Sequence, residues 1–595
     1  MKTVENLALS VALGAMALLP LGEIALRATL HTGISGAASL TQHLALVASM
    51  LGAGVAAREG RLLSLSTVDA LLNGKSAALA RFFTRTVAAV VSALLLLASA
   101  EFVLTERAGG NIIVYGIPVW MAQVVLPFGF ALLMARLAFE AAENWSARLA
   151  ALALAAAVAF AAASHLPLHD ATALAAIGAV LAAAVLGSPV FTTLGGLALF
   201  LFWSKGLPIA AVALDHYRMV VNPSLPMIPL FTLAGYFLAE GGAPRRLIRL
   251  FNALFGGMRG GAAIVTVLGC AFFTSFSGAS GVTIIALGGM LMPLLLSAGY
   301  SQKSAFGLLA GAGSLGGLLP PGLPLVLYAL VAKLPIEEMF LAGVIPGLLM
   351  VALVAVWGLR LAPRAPADEK RKLDWAEARA ALLEAKWELL LPLVACVALF
   401  GGFATPVEAA ALTAVYAFVV EVIVYRDLSL RRDVPRVMAQ CGLLVGGVLL
   451  ILGVALGFTN FLIDAQLPER LVDWVSGAVS SRWLFLIALN VFLLLAGCVL
   501  DIFSATVVLV PLLVPLGAAF GIDPLHLAII FLVNMELGYL TPPVGMNLFF
   551  TAYRFGRPLP EVFRAALPVF CVLAIGLVAV TLVPWLATAI PELIK

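Results

Sequence analysis

Charge is scarce in this chain: only 11% of its 595 residues are Asp, Glu, Lys or Arg, less than half the roughly 25% of an ordinary soluble domain. Apolar residues make up 63%, and the mean hydropathy is +1.10. So much apolar surface cannot hide in one water-soluble core, which excludes a soluble enzyme and a nucleic-acid binder. At about 20 residues per membrane-spanning helix, the length holds roughly a dozen to twenty segments. Cysteine is scarce too. Cys270, Cys396, Cys441, Cys498 and Cys571 sit in apolar runs without CxxC or metal-ligand spacing, and read as small buried hydrophobes. The sequence contains no HExxH, no Gly-x-Ser-x-Gly and no Cys/His cluster, so neither hydrolytic chemistry nor an ATPase has residues to stand on. The first apolar stretch, Leu7 to Leu30, is too long for a signal-peptide core and carries Glu23 and Arg27. It reads as a retained first helix.

What is present falls into unlike parts. Residues 1–145 contain four complete apolar runs, at about 7–30, 40–57, 79–104 and 116–140. With Lys2 cytoplasmic, alternation places Arg58, Arg61, Lys75, Arg81, Arg85, Arg136 and Arg148 on the same side, as the positive-inside rule requires. Residues 146–170 supply a fifth helix, 148–163, and a polar break at His165–Asp170 that reads as a loop rather than a metal site, because Pro167 separates the two histidines. Residues 171–595 are different in kind, with apolar runs repeatedly cut by Gly, Pro and Ser. A basic segment with Arg360, Arg364, Lys370, Arg371 and Lys372 divides this part into halves of about 171–360 and 387–595. Trp375 to Glu388 reads as an amphipathic helix returning to the bilayer.

The halves resemble each other. A shift of 222 positions pairs Pro293 with Pro515, Gly299 with Gly521, Gly316 with Gly538, Pro320-Pro321 with Pro542-Pro543, Pro346 with Pro568 and Gly235 with Gly457. Upstream, Ser188-Pro189-Val190 matches Thr405-Pro406-Val407 at a shift of 217. Duplicated halves with interrupted helices at matching places point to a secondary-transporter site. Unwound backbone cannot face lipid, so it must line a cavity or hold a ligand. Bare carbonyls suit a small cation, and helix N-termini suit a carboxylate.

In the first half, Ser275-Phe-Ser277-Gly278-Ala279-Ser280-Gly281 breaks an apolar run whose flanks, about 261–274 and 282–297, are short for a crossing. A re-entrant hairpin is expected there, against the plainer reading of a small-residue packing site. Gly311-Ala-Gly313-Ser314-Leu-Gly316 follows, before Pro320-Pro321. Its GxGxxG spacing is a decoy, since no strand-to-helix turn surrounds it. In the second half, Asp501-Ile-Phe-Ser504-Ala-Thr506 interrupts the run 482–516, and Gly538-Tyr-Leu-Thr541-Pro-Pro-Val-Gly545-Met-Asn547 gives a second broken helix. Asp501 inside an apolar segment is a functional candidate, with a helix-capping role alongside. Glu536 is equally a cation or proton ligand or the partner of an arginine. Thr405-Pro406-Val407-Glu408 reads as a structural helix start. Asn73-Gly74-Lys75-Ser76 ends like a phosphate loop but has Asp69 where a glycine belongs.

At these residues the chain resembles the tripartite ATP-independent periplasmic (TRAP) transporters of prokaryotes, nearly end to end. Gly116-Ile-Pro118-Val-Trp120 and Leu126-Pro127-Phe-Gly129 are similar to the small four-helix subunit. Pro226 to Gly235, the Ser277–Ser280 tip, Gly313 to Pro324, Ala342 to Gly347, Thr405 to Ala411 and Thr541 to Leu548 are similar to the large one. The resemblance implies an all-α polytopic membrane protein of the inner membrane, an elevator-type transporter with inverted repeats and two re-entrant hairpins. It implies sodium at Ser277, Gly278, Ser280, Gly313, Ser314 and Gly316, and at Asp501, Thr506, Gly538, Thr541 and Gly545. An organic anion would sit between the tips, at Ser280, Thr283, Ser504 and Asn547, delivered by a periplasmic binding protein. No organic cofactor is implied. The chain departs from the family pattern at Ala279, where a serine is usual, and at Glu536, where an uncharged residue is usual. A stand-alone proton- or sodium-coupled carrier is the competing reading. A non-transporting anchor is disfavoured, because an anchor has no use for interrupted helices.

Overall fold

The structure, a computed structural model, describes residues 2–64, 74–164, 166–363, 374–479, 481–542 and 545–594. The expectations that involve Asp69, Asn73, His165, Arg364, Lys370, Arg371, Lys372 and Pro543 lie outside the described residues. Among the described residues the extended elements are helical, and β pairing is limited to two isolated bridges, Ser64 to Pro189 and Ile112 to Pro118. Among the described residues, eleven helices are long and apolar enough to cross a membrane, or up to thirteen if each bent pair is one span. That is the low end of what the length allows, because much apolar sequence lies in helices of 10–17 residues. The chain divides into two compact units, residues 1–229 with 438–470, and residues 230–437 with 471–595.

In the first unit, α1 (Lys2–Leu30), α2 (Ala37–Arg58), α3 (Lys75–Gly109), α4 (Val119–Gln123) and α5 (Val125–Glu140) realise the four runs expected before residue 145, with α4 and α5 together forming one span. They are followed by α6 (Trp145–Ala163), α7 (Asp170–Val185), α8 (Val190–Ser204) and α9 (Ala210–Val220). The long α3 is the centre, packed against α5, α6, α8 and α9. Glu5 of α1 accepts from Arg58 at 2.7 Å and also from Arg136, which gathers the basic ends of α2 and α5 on one acid. Residues 438–464 complete this unit. A side chain at Gly52 would run into the backbone of Gly442 and come within 3.0 Å of Gly446 Cα, so glycines on both helices let the main chains touch.

The second unit contains most of α10 (Met227–Glu240), then α11 (Ala243–Phe255), α12 (Gly261–Ser277), α13 (Ser280–Ser297) and α14 (Gln302–Ala312) with a 3-10 turn at Leu315–Leu318. It continues through α15 (Leu323–Ala332), α16 (Ile336–Leu361), α17 (Trp375–Phe400) and α18 (Pro406–Phe418), which runs into a π-helix at Val419–Val424. After α19 (Asp433–Asp464) come α20 (Leu467–Ala478), α21 (Arg482–Gly497), α22 (Ile502–Ala519), α23 (Pro524–Gly538), α24 (Met546–Phe555), α25 (Leu559–Leu582) and α26 (Trp585–Ile594). The expected helix start at Thr405 is a capping box: Glu408 N donates to Thr405 Oγ1 at 3.3 Å, and Thr405 N to Glu408 Oε2 at 2.7 Å. Two expectations change. The amphipathic run from Trp375 does not end at Glu388 but continues as one helix to Phe400, since apolar sequence follows without a glycine. Cys396 and Cys571 are exposed, unlike buried Cys270, Cys441 and Cys498, because they sit on outward faces of apolar helices.

Contacts within this unit make the sequence repeat physical. The 222-residue shift carries α13 onto α22, α14 onto α23, α15 onto α24 and α16 onto α25. Observed packing exchanges these mates. The first-half α13 packs on the second-half α24, and α22 packs on α15; likewise α14 packs on α25, and α23 on α16. Each half therefore buries its apolar faces on the other half, as two copies related by a pseudo-two-fold do.

Candidate functional site

The first break is a hairpin. The chain leaves α12 at Gly278, whose φ of +66° is a left-handed conformation that only glycine adopts without strain, and enters α13 two residues later. A Cβ there would also lie 2.5 Å from Leu323 Cβ. The arms have 17 and 18 residues, about 26 Å at 1.5 Å per residue, just under the roughly 30 Å hydrocarbon core. They pack on each other. Behind the tip lies a hydroxyl cluster: Thr274 Oγ1 donates to Gly313 O at 2.7 Å and lies 2.8 Å from Thr283 Oγ1, which is 3.3 Å from Ser277 Oγ. Gly316, in the 3-10 turn, is pressed on α12, where a Cβ would meet the Ala271 and Ser275 backbone and come within 2.8 Å of Thr274 Cβ. Ser314 Oγ, just before that turn, is buried without a partner. The start of α13 at Ser280 carries no side-chain cap.

The second break has a different chemistry. Asp501 is the N-cap of α22. Its Oδ1 accepts from Phe503 N at 2.9 Å and Ser504 N at 3.0 Å, and its Oδ2 accepts from the Ser504 hydroxyl. Ile502 N donates to Tyr539 OH at 2.9 Å, which ties this tip to the end of α23. Thr506 is engaged with Ile502 O of its own helix at 2.6 Å. Thr541 donates to Gly538 O at 2.8 Å. Gly545 precedes α24 with φ +42°. A Cβ at Gly538 would lie 2.6 Å from Gly497 Cα. Gly497 is the 222-shift mate of Ser275, so both halves make the same close crossing.

Asn547 joins the halves. Its Nδ2 donates to Ala310 O at 2.9 Å and its backbone N to Tyr539 O at 3.2 Å, while Oδ1 is buried without a partner. Gly281, Ser280's neighbour, faces the Phe550 ring of α24. The residues expected from sequence thus gather as two clusters, with Ser277, Thr283, Gly313 and Gly316 in one, and Asp501, Ser504, Gly538 and Thr541 in the other. The hydroxyls of Thr283 and Ser504 are already engaged inside their clusters. The Ser314 hydroxyl and the Asn547 amide oxygen are buried without a hydrogen-bond partner. Sequence reasoning missed Thr274 and Tyr539. Tyr539 lies inside the second broken-helix motif, and Thr274 lies three residues before Ser277, the spacing of one helical turn. Glu536, buried on α23, has no hydrogen-bond partner for either oxygen and no ion pair among the described residues, so the arginine pairing does not occur. It faces the 3-10 turn, 3.0 Å from where a Cβ on Gly317 would sit.

Comparison with known proteins gives the family. Residues 174–586 match the family described as tripartite ATP-independent periplasmic transporter, DctM component, and residues 16–147 match the DctQ component. The C4-dicarboxylate TRAP transporter large permease protein DctM of Pseudomonas aeruginosa is 37% identical, over 67% of this chain and 92% of its own. The isethionate TRAP transporter permease protein DctMQ of Oleidesulfovibrio alaskensis is 32% identical, over 67% of this chain and 63% of its own. The sialic acid TRAP transporter large permease protein SiaM of Vibrio cholerae is 30% identical, over 68% and 95%. The crystal structure of the Alcanivorax borkumensis YdaH transporter aligns with 61% of this chain and 85% of its own at 16% identity and a TM-score of 0.44, too loosely to establish a shared topology. With the larger component matched over more than half the chain and the smaller one at its N-terminal end, the chain belongs to the tripartite ATP-independent periplasmic transporter family and is a multi-pass membrane transporter, not an enzyme.

Proposed function

We propose that the chain drives sodium-coupled uptake of a small organic anion across the inner membrane by an elevator motion, with its N-terminus cytoplasmic and the substrate handed over by a periplasmic binding protein. The observation that carries this reading is the pair of glycine-backed helix breaks, reciprocally packed, with unlike chemistry at their tips. Sodium, the coupling cargo, is hard and oxygen-seeking, and the second cluster offers it the Asp501 carboxylate with carbonyls near Gly538 and Thr541. In the first cluster, Ser277, Gly278, Ser280, Gly313, Ser314 and Gly316 would hold sodium through hydroxyl and carbonyl oxygens. A substrate carboxylate would face the uncapped start of α13 at Ser280 and the start of α24 beside Asn547, where the helix dipole favours an anion. Residues 1–145 would serve as the static scaffold. Relatives are named for C4-dicarboxylate, isethionate and sialic acid, which sets the panel for testing. The experiment is uptake into proteoliposomes, with and without a sodium gradient and the binding protein. Loss of uptake when either is removed is expected. Uptake undiminished without both would overturn the proposal, and uptake of free substrate alone would favour the stand-alone carrier.

A further inference from the structure

Two buried polar side chains of the second unit lack partners and belong together by the repeat. Ser314, just before the 3-10 turn Leu315–Leu318, and Glu536 of α23 are 222 residues apart, so each is the other's mate. Both are 3% exposed. Neither the Ser314 hydroxyl nor either oxygen of the Glu536 carboxyl has a hydrogen-bond partner.

Their placement follows from the exchange of packing between the halves. The 3-10 turn packs on α23, and Glu536 Oε1 lies 3.0 Å from where a Cβ on Gly317 would sit. Glycine at 317 thus leaves the room that the carboxyl fills. Gly317 N donates to Ser314 O at 2.9 Å, and residues three apart in a 3-10 turn eclipse each other. Glu536 therefore faces the side of the turn that carries Ser314, about 6 Å further along at about 2 Å per residue. Two points related by a two-fold are separated by twice their distance from its axis. A carboxyl this near the turn of its own mate sits beside the pseudo-two-fold axis, with Ser314 across it.

No cation of the protein reaches this carboxyl. Of the elements packed on α23, the 3-10 turn, α15, α22 and α26 contain no Lys or Arg. The basic residues of α16, α21 and α25 are Arg360, Arg482 and Arg564, and all three are exposed. An ionised carboxylate buried with neither a donor nor a counter-charge is strongly disfavoured. One acid facing one neutral hydroxyl is balanced by a single monovalent cation, whereas a divalent ion would leave an excess charge.

We infer that a sodium ion binds on the pseudo-two-fold axis between Glu536 and Ser314, in addition to those at the two helix breaks, a site which rests on the sodium-coupled reading of the protein. The carboxylate supplies the charge and the hydroxyl a second oxygen. The ion ties α23 to the turn that follows α14, so filling the site stabilises the second unit.

The test is sodium binding to the purified full chain in detergent, with potassium as the replacing ion. Radiolabelled sodium at equilibrium gives the number of ions, and thermal unfolding across a sodium series gives their linkage to stability. Each site, once nearly filled, lowers the unfolding constant about tenfold for a tenfold rise in sodium. Glu536→Gln keeps the shape and removes the charge. It should bind one ion fewer than wild type, lose one such tenfold step, and unfold no earlier than wild type in sodium-free buffer. Gly317→Ala keeps the acid but sets a methyl against Oε1, and should shift filling of this site to higher sodium. Asp501→Asn should lose a different ion, leaving its double variant with Glu536→Gln two ions short. An ion lost from Asp501→Asn but none from Glu536→Gln would overturn the axial site and leave sodium coupling standing. Wild type without sodium dependence would overturn both. Glu536→Gln that fails to fold, or unfolds earlier than wild type without sodium, would also overturn the site, because the acid would then hold a structural partner.

Discussion

Gly538→Ala probes the site through a single methyl group. The new Cβ would lie 2.5, 2.6 and 2.7 Å from the carbonyl carbon, Cα and oxygen of Gly497, where ordinary contacts begin near 3.4 Å. Those atoms are backbone, so no side chain can swing aside and α21 must move from α23 by about 1 Å. Overpacking of this kind costs about 1–3 kcal/mol, and the gain from replacing a helical glycine offsets about 0.5–1 kcal/mol of it. A net loss of about 1–2 kcal/mol is expected. The control is Gly269→Ala in α12, where a Cβ meets nothing within 4 Å, so only the helix gain of about 0.5–1 kcal/mol remains. Thermal unfolding in detergent, followed by fluorescence of the nine tryptophans, should order the proteins Gly269→Ala, wild type, Gly538→Ala. Moving α23 also strains the Ile502 N to Tyr539 OH bond, so Gly538→Ala should need more sodium for half-maximal uptake while Gly269→Ala should not. If Gly538→Ala unfolds with wild type or above it, the helix crossing is not as close as described and the reasoning fails.

Other substitutions separate structural from ligand roles. Asp501→Asn keeps an N-cap and should preserve stability while reducing sodium-dependent uptake. Asp501→Ala should lose about 1 kcal/mol as well, and equal uptake by wild type and both variants would refute the assignment. Gly281→Ala should drive against Phe550, with a Cβ 2.6 Å from Phe550 Cδ2, and Phe550→Ala should rescue it. A double-mutant cycle on thermal stability with a coupling below about 0.5 kcal/mol would deny the contact. Thr405→Ala breaks the capping box and should cost about 1 kcal/mol in the same unfolding assay without changing sodium affinity. Hydrogen bonds from Arg249 hold the Glu377 carboxyl below its usual pKa. That small contribution is present above the unfolded value and fades as pH falls through the native one. At this exposed pair, Arg249→Ala should leave the neutral-pH unfolding temperature near wild type.

The architecture was legible because membrane physics leaves few options. Four uncut apolar runs before residue 145 could only become helices, and they did. The breaks at Gly278, Asp501 and Gly538 were legible because Gly, Pro and Asp are costly in lipid unless something repays them. The 222-residue repeat gave the matching of elements, but it could not give their exchange. Nothing in the spacing of Pro293 and Pro515 says that α13 packs on α24 rather than on its own half's α15. That choice depends on which faces are complementary across hundreds of residues, as Gly281 is to Phe550.

Arg246 donates to Glu388, Glu421 and Asp427, a cluster that was hidden for a related reason. Arg246 lies among Arg245 and Arg249 on α11, and Glu388, Glu421 and Asp427 come from later in the chain. Singly, each is an ordinary charge near the end of an apolar run. Only the fold brings them into contact. The same holds at the site. Asp501 announced itself as an acid in an apolar run, whereas Thr274 and Tyr539 resemble hundreds of buried threonines and tyrosines until their oxygens are seen to meet Gly313 O and Ile502 N. Rarity therefore reveals a residue in sequence, and partnership reveals it in structure. The two halves of this transporter differ most where those tests disagree, in a hydroxyl cluster that sequence half concealed and a carboxylate cap that it displayed.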